Sequence, residues 1–281
     1  MKAMILAAGL GTRLRPLTDD RPKALVEVSG RTLLEITLRR LRSFGIREVI
    51  VNVHHFADLI VEYLKANDQF GMQIEISRED DLLDTGGGLR KAADFFLRNN
   101  SPRGSSDEPF VLHNVDVLSS IDLRAMVKFH RERDALATLA TRPRESSRQL
   151  LFDEHLQLCG RRVAEAAQAE MVRPAWETQA LAFSGIHVVS PRIFALMNKS
   201  LMRKPMNPAQ MSEPSRNEAP TSKAGMRDEH AFPIIPMYLR LAGEGAKILA
   251  FRTDTDYWRD LGTAKSLQQA AEDIERKLIE T

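Results

Sequence analysis

Leu6-Ala7-Ala8-Gly9-Leu10-Gly11-Thr12-Arg13 is the stretch of this 281-residue chain whose residue types point most directly to chemistry. Ahead of it, residues 2–8 are an apolar run that suits a buried strand, so the glycines fall where a strand ends and the chain turns. Folds that alternate strand and helix bind ligands at such strand ends. Gly9 and Gly11 carry no Cβ, which lets backbone N–H groups converge on an anion, and Arg13 adds a planar fork of donors suited to phosphate oxygens. Arg15-Pro16-Leu17-Thr18 and Pro22-Lys23 are expected to keep the loop extended and to return a second cation to it. The whole reads as a cradle for a polyphosphate, although a bare G-x-G turn after a first strand is common. Two widespread phosphate motifs are missing: G-x-x-x-x-G-K-S/T is absent, and Leu14 stands where G-x-G-x-x-G needs its third glycine.

The run L-A-A-G-x-G-T-R-x-x-P-x-T followed by P-K, unbroken from Leu6 to Lys23, resembles the signature of the sugar-1-phosphate nucleotidyltransferases. The resemblance implies nucleotide contacts at Leu6, Ala7, Ala8, Gly9, Gly11, Thr12, Arg13 and Lys23. A second stretch, Glu79-Asp80-Asp81-Leu82-Leu83-Asp84-Thr85-Gly86-Gly87-Gly88, leads into a helix expected from Leu89, and its glycines would let another group approach the backbone. In the resembled family a Gly-Thr-rich loop here contacts the nucleobase, with a Gln or Glu five residues before it. Glu79 stands at that offset from Asp84, and a carboxylate can accept the N3–H of uracil or thymine or an N–H of guanine. Thr85, Gly86 and Gly87 join it as nucleotide-site candidates. The run from Thr85 to Gly88 is most similar to that of the N-acetylmuramate-1-phosphate uridylyltransferases, which tilts the expected nucleotide towards UTP.

Residues 110–114 read as a buried strand, with Val115-Asp116 leaving its carboxyl end, and Trp258-Arg259-Asp260-Leu261-Gly262-Thr263 precedes the last helix. An aspartate after a strand is often only a cap. The resembled family has N-x-D or G-D at the first place and W-x-D-x-G-T at the second, and its two aspartates hold Mg²⁺; Asp116 and Asp260 match them residue by residue. Val115 replaces the usual glycine before the first aspartate. Residues 181–191 resemble the family's F-S-G-I-x-V segment, which makes Ser184 and Gly185, with Asn114, candidates for the sugar site; a core strand with one close-packed glycine explains the segment equally well.

The implied reaction joins an NTP and a sugar 1-phosphate to give NDP-sugar and pyrophosphate. A phosphate monoester loses its second proton at roughly pH 6, so the acceptor is already an anionic oxygen nucleophile. The barrier is electrostatic, because one anion must approach the α-phosphorus of another in line with the departing pyrophosphate. Mg²⁺ prefers oxygen ligands and bridges phosphate oxygens, while fixed cations offset the developing charge. On this reading Asp116 and Asp260 hold the metal, Arg13 faces the β- and γ-phosphates, and Lys23 faces the α-phosphate or the sugar phosphate.

Lys and Arg total 40 against 38 Asp and Glu, a net +2, so no global field calls for nucleic acid or an anionic membrane. With 43% hydrophobic and 28% charged residues the composition is globular. Cys159 alone cannot form an internal disulfide and is expected to be a packing residue in a reducing compartment. Neither a cationic leader nor a membrane-length apolar run is evident, and a cytoplasmic protein is expected. His54-His55 reads as a loop pair rather than a metal site, and Arg39, Arg40 and Arg42 as a solvated helix face.

Strand and helix alternate along the chain, which predicts an α/β fold: a Rossmann-like, mostly parallel sheet with helices on both faces. We expect a single domain over 1–281, with a nucleotide half at 1–116, a sugar half at 117–263 and a closing helix at 264–281. Residues 101–108 read as a surface loop and 199–229 as a mobile insertion; 160–177 carry no clear pattern. No hexapeptide repeats announce a C-terminal β-helix. Rival readings are GTP with mannose 1-phosphate, CTP with phosphocholine, and a non-catalytic nucleotide-sugar-binding regulatory protein. Intact Arg13, Lys23, Asp116 and Asp260 argue against the last. Whether the chain forms a homo-oligomer is left open by the sequence.

Overall fold

A computed structural model describes residues 1–98, 107–163, 168–201 and 231–281. Most of the expected loop at 101–108 and of the expected insertion at 199–229 lies outside the described residues. The first half runs β1 (Lys2–Leu6), a hairpin of β2 (Glu27–Val28) and β3 (Arg31–Thr32), then α1 (Leu33–Ser43), β4 (Glu48–Val53), α2 (Ala57–Ala66) and β5 (Gln73–Arg78). It continues through α3 (Asp84–Lys91) and α4 (Ala93–Leu97) to β6 (Phe110–Asn114) and β7 (Val117–Ser119). The second half holds α5 (Leu123–Glu132), β8 (Ala137–Arg142), β9 (Arg148–Phe152), β10 (Leu158–Val163), β11 (Glu170–Met171) and the long β12 (Gln179–Val189). It closes with α6 (Arg192–Leu201), α7 (Ile234–Gly243), β13 (Ile248–Arg252), β14 (Trp258–Asp260) and α8 (Ala264–Glu275).

One large sheet carries the order β11-β10-β9-β12-β6-β1-β4-β5, with β8 and β13 branching from β12. Its core β6-β1-β4-β5 is parallel throughout, as the strand–helix alternation predicts. The far half departs from that rule because β12 enters antiparallel to β6, β8 and β9, so the sheet is mixed around a parallel core. Alternation along the central strands builds two hydrophobic cores. Ala3, Ile5, Val49, Val51 and Val111 face α1, α2, α5 and α8 on one side. Met4, Ile50, Phe110 and Leu112 face α3, α4, α6 and α7 on the other.

Local signals fix several boundaries. Thr32 caps α1 through the Glu35 N–H at 3.1 Å, and Gly45, at φ 83°, turns the chain just beyond its end. Thr263 and Ser266 form a reciprocal box at the start of α8.

Three expectations need correction. The loop after Gly11 is not extended but a series of tight turns, Leu14 N to Gly11 O at 2.8 Å and Leu17 N to Leu14 O at 2.9 Å, because Leu14 folds back into the core. The helix expected from Leu89 begins at Asp84 and contains all three glycines. Tertiary packing overrides their poor helix propensity: a Cβ on Gly88 would lie 2.7 Å from Glu79 Oε1 and 2.9 Å from Asn52 Nδ2. The α1 arginines are not one solvated face. Arg40 lies half-buried with its guanidinium on the Ile121 carbonyl, and Arg42 bonds the Phe70 carbonyl at 2.8 Å. Cys159 is buried, as a packing residue should be, and His54 is a loop residue bonded to the Glu79 carbonyl at 2.8 Å.

Three histidines, His113, His130 and His187, are buried in the two halves. Burial pushes His113 down to about 4, helped by Arg40, and His130 down to about 4, helped by Arg192 and Arg131. Burial next to His113 pushes His187 to about 3. All three rings are neutral in the fold and take up protons on unfolding once the pH is below their ordinary value of 6.5. Their contribution is therefore fully present above pH 6.5 and is lost as the pH falls towards 4. Urea unfolding followed by circular dichroism is expected to give an unfolding free energy that declines over this interval, by about 1.4 kcal/mol per pH unit for each proton bound, with the midpoint falling in step; a flat midpoint would contradict neutral burial.

Candidate active site

A cavity of about 330 Å³ opens at the carboxyl ends of β1, β4 and β6. Leu6, Ala7, Ala8, Gly9, Lys23, Glu79, Thr85, Asn114 and Asp116 line it, so most of the residues expected from the sequence share one mouth. Gly9 has open space where a Cβ would stand, which leaves its backbone free to meet a ligand. Gly11, Thr12 and Arg13 do not line the cavity; Thr12 and Arg13 are exposed in the short turn that follows Gly11. Gly86 and Gly87 are not brought to the cavity: both are buried in α3, with their N–H groups on the Phe232 carbonyl at 2.9 and 3.2 Å. Thr85 reaches the wall while its hydroxyl accepts the Ile234 N–H at 2.9 Å.

The floor is held by a buried relay that was not evident in the sequence. Asn52 accepts the Ala7 N–H at 2.8 Å through Oδ1 and donates through Nδ2 to Glu79 Oε1 at 2.7 Å. Glu79 Oε2 in turn accepts the Leu83 N–H at 3.0 Å. One amide and one carboxylate thus tie the glycine loop after β1 to the segment that starts α3. Glu79 is 4% exposed and each oxygen already has a partner, so at the cavity it acts first as a brace. A polar Asn inside the otherwise apolar run of β4 was the available signal.

Asp116 and Asp260 come from distant parts of the chain and meet through a two-stranded ladder. β14 pairs antiparallel with β7, Asp260 opposite Val117, and Leu261 N–H donates to the Asp116 carbonyl at 2.8 Å. The Lys23 ammonium sits on the Asp116 carboxylate, with both side chains largely covered. Asp260 accepts the Gly262 N–H at 2.9 Å through Oδ1. A Cβ on Gly262 would lie 2.6 Å from both that oxygen and Arg13 Nη2, which puts the Arg13 guanidinium at the same edge. No cluster of three or more His, Cys, Asp or Glu suited to a metal exists among the described residues. Two carboxylates on joined strands still fit Mg²⁺, which binds through one or two protein carboxylates and completes its shell with phosphate oxygens and water.

On the other side of the mouth, β12 changes register between Phe183 and His187, a bulge centred on Ser184-Gly185. Gly185 has φ 77°, and a Cβ there would lie 2.7 Å from Val117 Cγ2 and 3.1 Å from Asn114 Nδ2. Asn114 and Gly185 therefore touch across the β6–β12 junction. Ser184 is fully buried, with a hydroxyl that has no partner, and its carbonyl accepts the Trp258 Nε1–H at 2.8 Å. Its side chain is not at the cavity surface; its carbonyl anchors the tryptophan.

The strand-end cavity thus holds a glycine loop and a paired lysine and aspartate, with a second aspartate on a strand joined to them, and residues 2–150 match the Nucleotidyl transferase family. This chain belongs to that family. It is 38% identical over 151 residues to UTP--glucose-1-phosphate uridylyltransferase of Synechocystis, a match covering 50% of this chain and 37% of the relative. It is 50% identical over 93 residues to N-acetylmuramate alpha-1-phosphate uridylyltransferase of Caulobacter vibrioides, covering 32% of this chain and 38% of the relative. Over 140 residues it is 34% identical to a probable mannose-1-phosphate guanylyltransferase of Oryza sativa, covering 50% and 37%. The matched segment thus spans well under half the length of these curated relatives. A putative glucose-1-phosphate thymidylyltransferase of Bacillus anthracis shares the fold across 100% of this chain and 97% of its own, with a TM-score of 0.70 at 18% identity. HddC of Yersinia pseudotuberculosis, solved with GMP-PN, does so across 97% and 99% with a TM-score of 0.66 at 19% identity. No helix among the described residues is long and apolar enough to cross a membrane.

Asn52→Ala leaves the Ala7 N–H and one Glu79 oxygen without their partner, and unfolding is expected to become easier by about 1–3 kcal/mol in urea titrations. Gly262→Ala forces Arg13 and Asp260 apart, and nucleotide turnover is expected to fall at least about tenfold with little change in unfolding midpoint.

Proposed function

We propose that this chain transfers a nucleotidyl group from an NTP, UTP in preference, to a sugar 1-phosphate, releasing an NDP-sugar and pyrophosphate. The observation that carries the reading is the convergence of the Gly9 backbone, the Lys23 ammonium and the Asp116 carboxylate at one mouth, with the Asp260 strand joined to the Asp116 backbone by the β7–β14 ladder. The nucleotide enters the half built on β1, β4 and β6, with its base towards Glu79 and Thr85 and its phosphates towards the glycine loop. The sugar 1-phosphate approaches from the side of Asn114, Gly185 and Trp258.

Reaction then needs no protein base. An oxygen of the acceptor phosphate bonds to the α-phosphorus as the bond to the bridging oxygen breaks, and the electron pair leaves with pyrophosphate. Lys23, held by Asp116 at the cavity wall, offsets charge at the α-phosphoryl group. Arg13 faces the β- and γ-phosphates and the leaving pyrophosphate. Asp116 and Asp260 would hold Mg²⁺, which when bound lowers the electrostatic barrier between the two anions.

The preference for UTP is supported by the 50% identity to a uridylyltransferase over the segment that matches best. A guanylyltransferase is the second reading, favoured by the 34% identity to enzymes named for mannose 1-phosphate. A matrix of ATP, CTP, GTP, UTP and TTP against glucose, mannose and N-acetylmuramate 1-phosphates, with Mg²⁺ and a pyrophosphate readout, decides between them. Turnover concentrated in the UTP row, lost by at least about 10³-fold in Asp116→Ala, is the expected result; turnover in the GTP row alone would move the assignment, and none in any row would refute the transferase reading.

A further inference from the structure

We propose that Arg144 is the residue that takes the phosphate of the acceptor sugar 1-phosphate, from the side of the cleft opposite Lys23; this rests on the transferase reading above. Arg144 lies in the loop after β8, outside every motif singled out in the sequence. Its guanidinium stacks on the Trp258 ring, 4.5 Å from the centroid. Trp258 and Asp260 are alternate residues of β14 and so share a face, which puts the cation over the same side of the strand as the Asp260 carboxylate. Asp260 acts on it electrostatically.

The head group is fixed in advance. Nη2 donates to the Phe183 carbonyl at 3.1 Å and Nη1 to the Glu145 carbonyl at 3.4 Å. The platform beneath is fixed in turn by the Trp258 Nε1–H bond to the Ser184 carbonyl at 2.8 Å. Yet no carboxylate forms an ion pair with Arg144 among the described residues, and its buried Nε has no acceptor. A half-buried cation whose hydrogen bonds go only to neutral carbonyls, with Asp260 acting on it without an ion pair, is only partly compensated, and one further N–H on each Nη remains to receive an anion. A phosphate monoester supplies that anion in the planar two-point geometry a guanidinium favours. In the transferase reading Lys23 and Arg13 serve the nucleotide from the β1 side, whereas Arg144 is held against Phe183 of β12 and Trp258 of β14, beside the Gly185–Asn114 contact on the side assigned to the sugar. An arginine here would hold the nucleophile's own phosphate and turn its attacking oxygen towards the α-phosphorus.

The test is steady-state kinetics of wild type, Arg144→Gln and Arg144→Lys on UTP and the sugar 1-phosphate most active with the wild type, joined to calorimetric binding of that sugar 1-phosphate and of the sugar without phosphate. In Arg144→Gln, KM for the sugar 1-phosphate is expected to rise by about ten- to a hundredfold with KM for UTP nearly unchanged. The preference for the phosphorylated sugar is expected to collapse, with partial recovery in Arg144→Lys. A rise confined to KM for UTP, or a lowered unfolding midpoint with both KM values unchanged, would overturn the assignment while leaving the transferase intact. A wild type that neither turns over nor binds any sugar 1-phosphate would overturn both together.

Discussion

The ladder between β7 and β14 is the contact on which the rest of the site depends. Two carboxylates repel, and a polyphosphate repels both, so their assembly requires a scaffold that holds them before any cation arrives. Backbone hydrogen bonding does this without demanding charge: Leu261 N–H to Asp116 O and the register of Asp260 with Val117 fix the two positions. Lys23 then neutralises Asp116, and the Gly262 N–H and Arg13 attend Asp260. The last strand is tied down in turn by α8, whose Asp273 bonds the Tyr257 hydroxyl and the Arg259 guanidinium. Each carboxylate thus has a local counterweight.

The nucleotide side has a second constraint, the relay from Ala7 through Asn52 and Glu79 to Leu83. Carboxylate and amide here hold one glycine-rich loop at a set distance from the beginning of α3. Because α3 packs its glycines against Glu79, Asn52 and Phe232, the same helix also couples the nucleotide half to α7, beyond the insertion. The α3 wall of the cavity is therefore backed by both halves of the chain.

What was legible in the sequence was local in the chain. The apolar strand ahead of Gly9, the strand at 110–114 and the final helix each carry their signal within a dozen residues, and the structure has β1, β6 and α8 there. Asp116 and Asp260 each sit in their own short motif and the resemblance implied that they meet, but the β7–β14 ladder that joins them has no signal in either motif. Sequence reasoning failed where the determining partner is remote. Gly86, Gly87 and Gly88 look like loop because their propensity says so, and only Phe232 and Glu79 explain why they are helical. Asn52 looks like a misplaced polar residue until Ala7 and Glu79 are beside it. Arg144 has no motif; its meaning comes from Trp258, brought to it by the β7–β14 ladder. The antiparallel entry of β12 was equally invisible, since a long apolar strand reads the same in either direction.

The central claim is that substrates meet in one mouth and react directly, with the chain supplying charge and orientation but no covalent partner. The stereochemical course at the α-phosphorus tests this most directly. Turnover of the Sp α-thio analogue of the NTP, with the configuration of the product assigned by ³¹P nuclear magnetic resonance, is expected to give inversion, the signature of a single in-line displacement. Retention would mean two successive displacements through a nucleotidylated side chain, and would contradict the account.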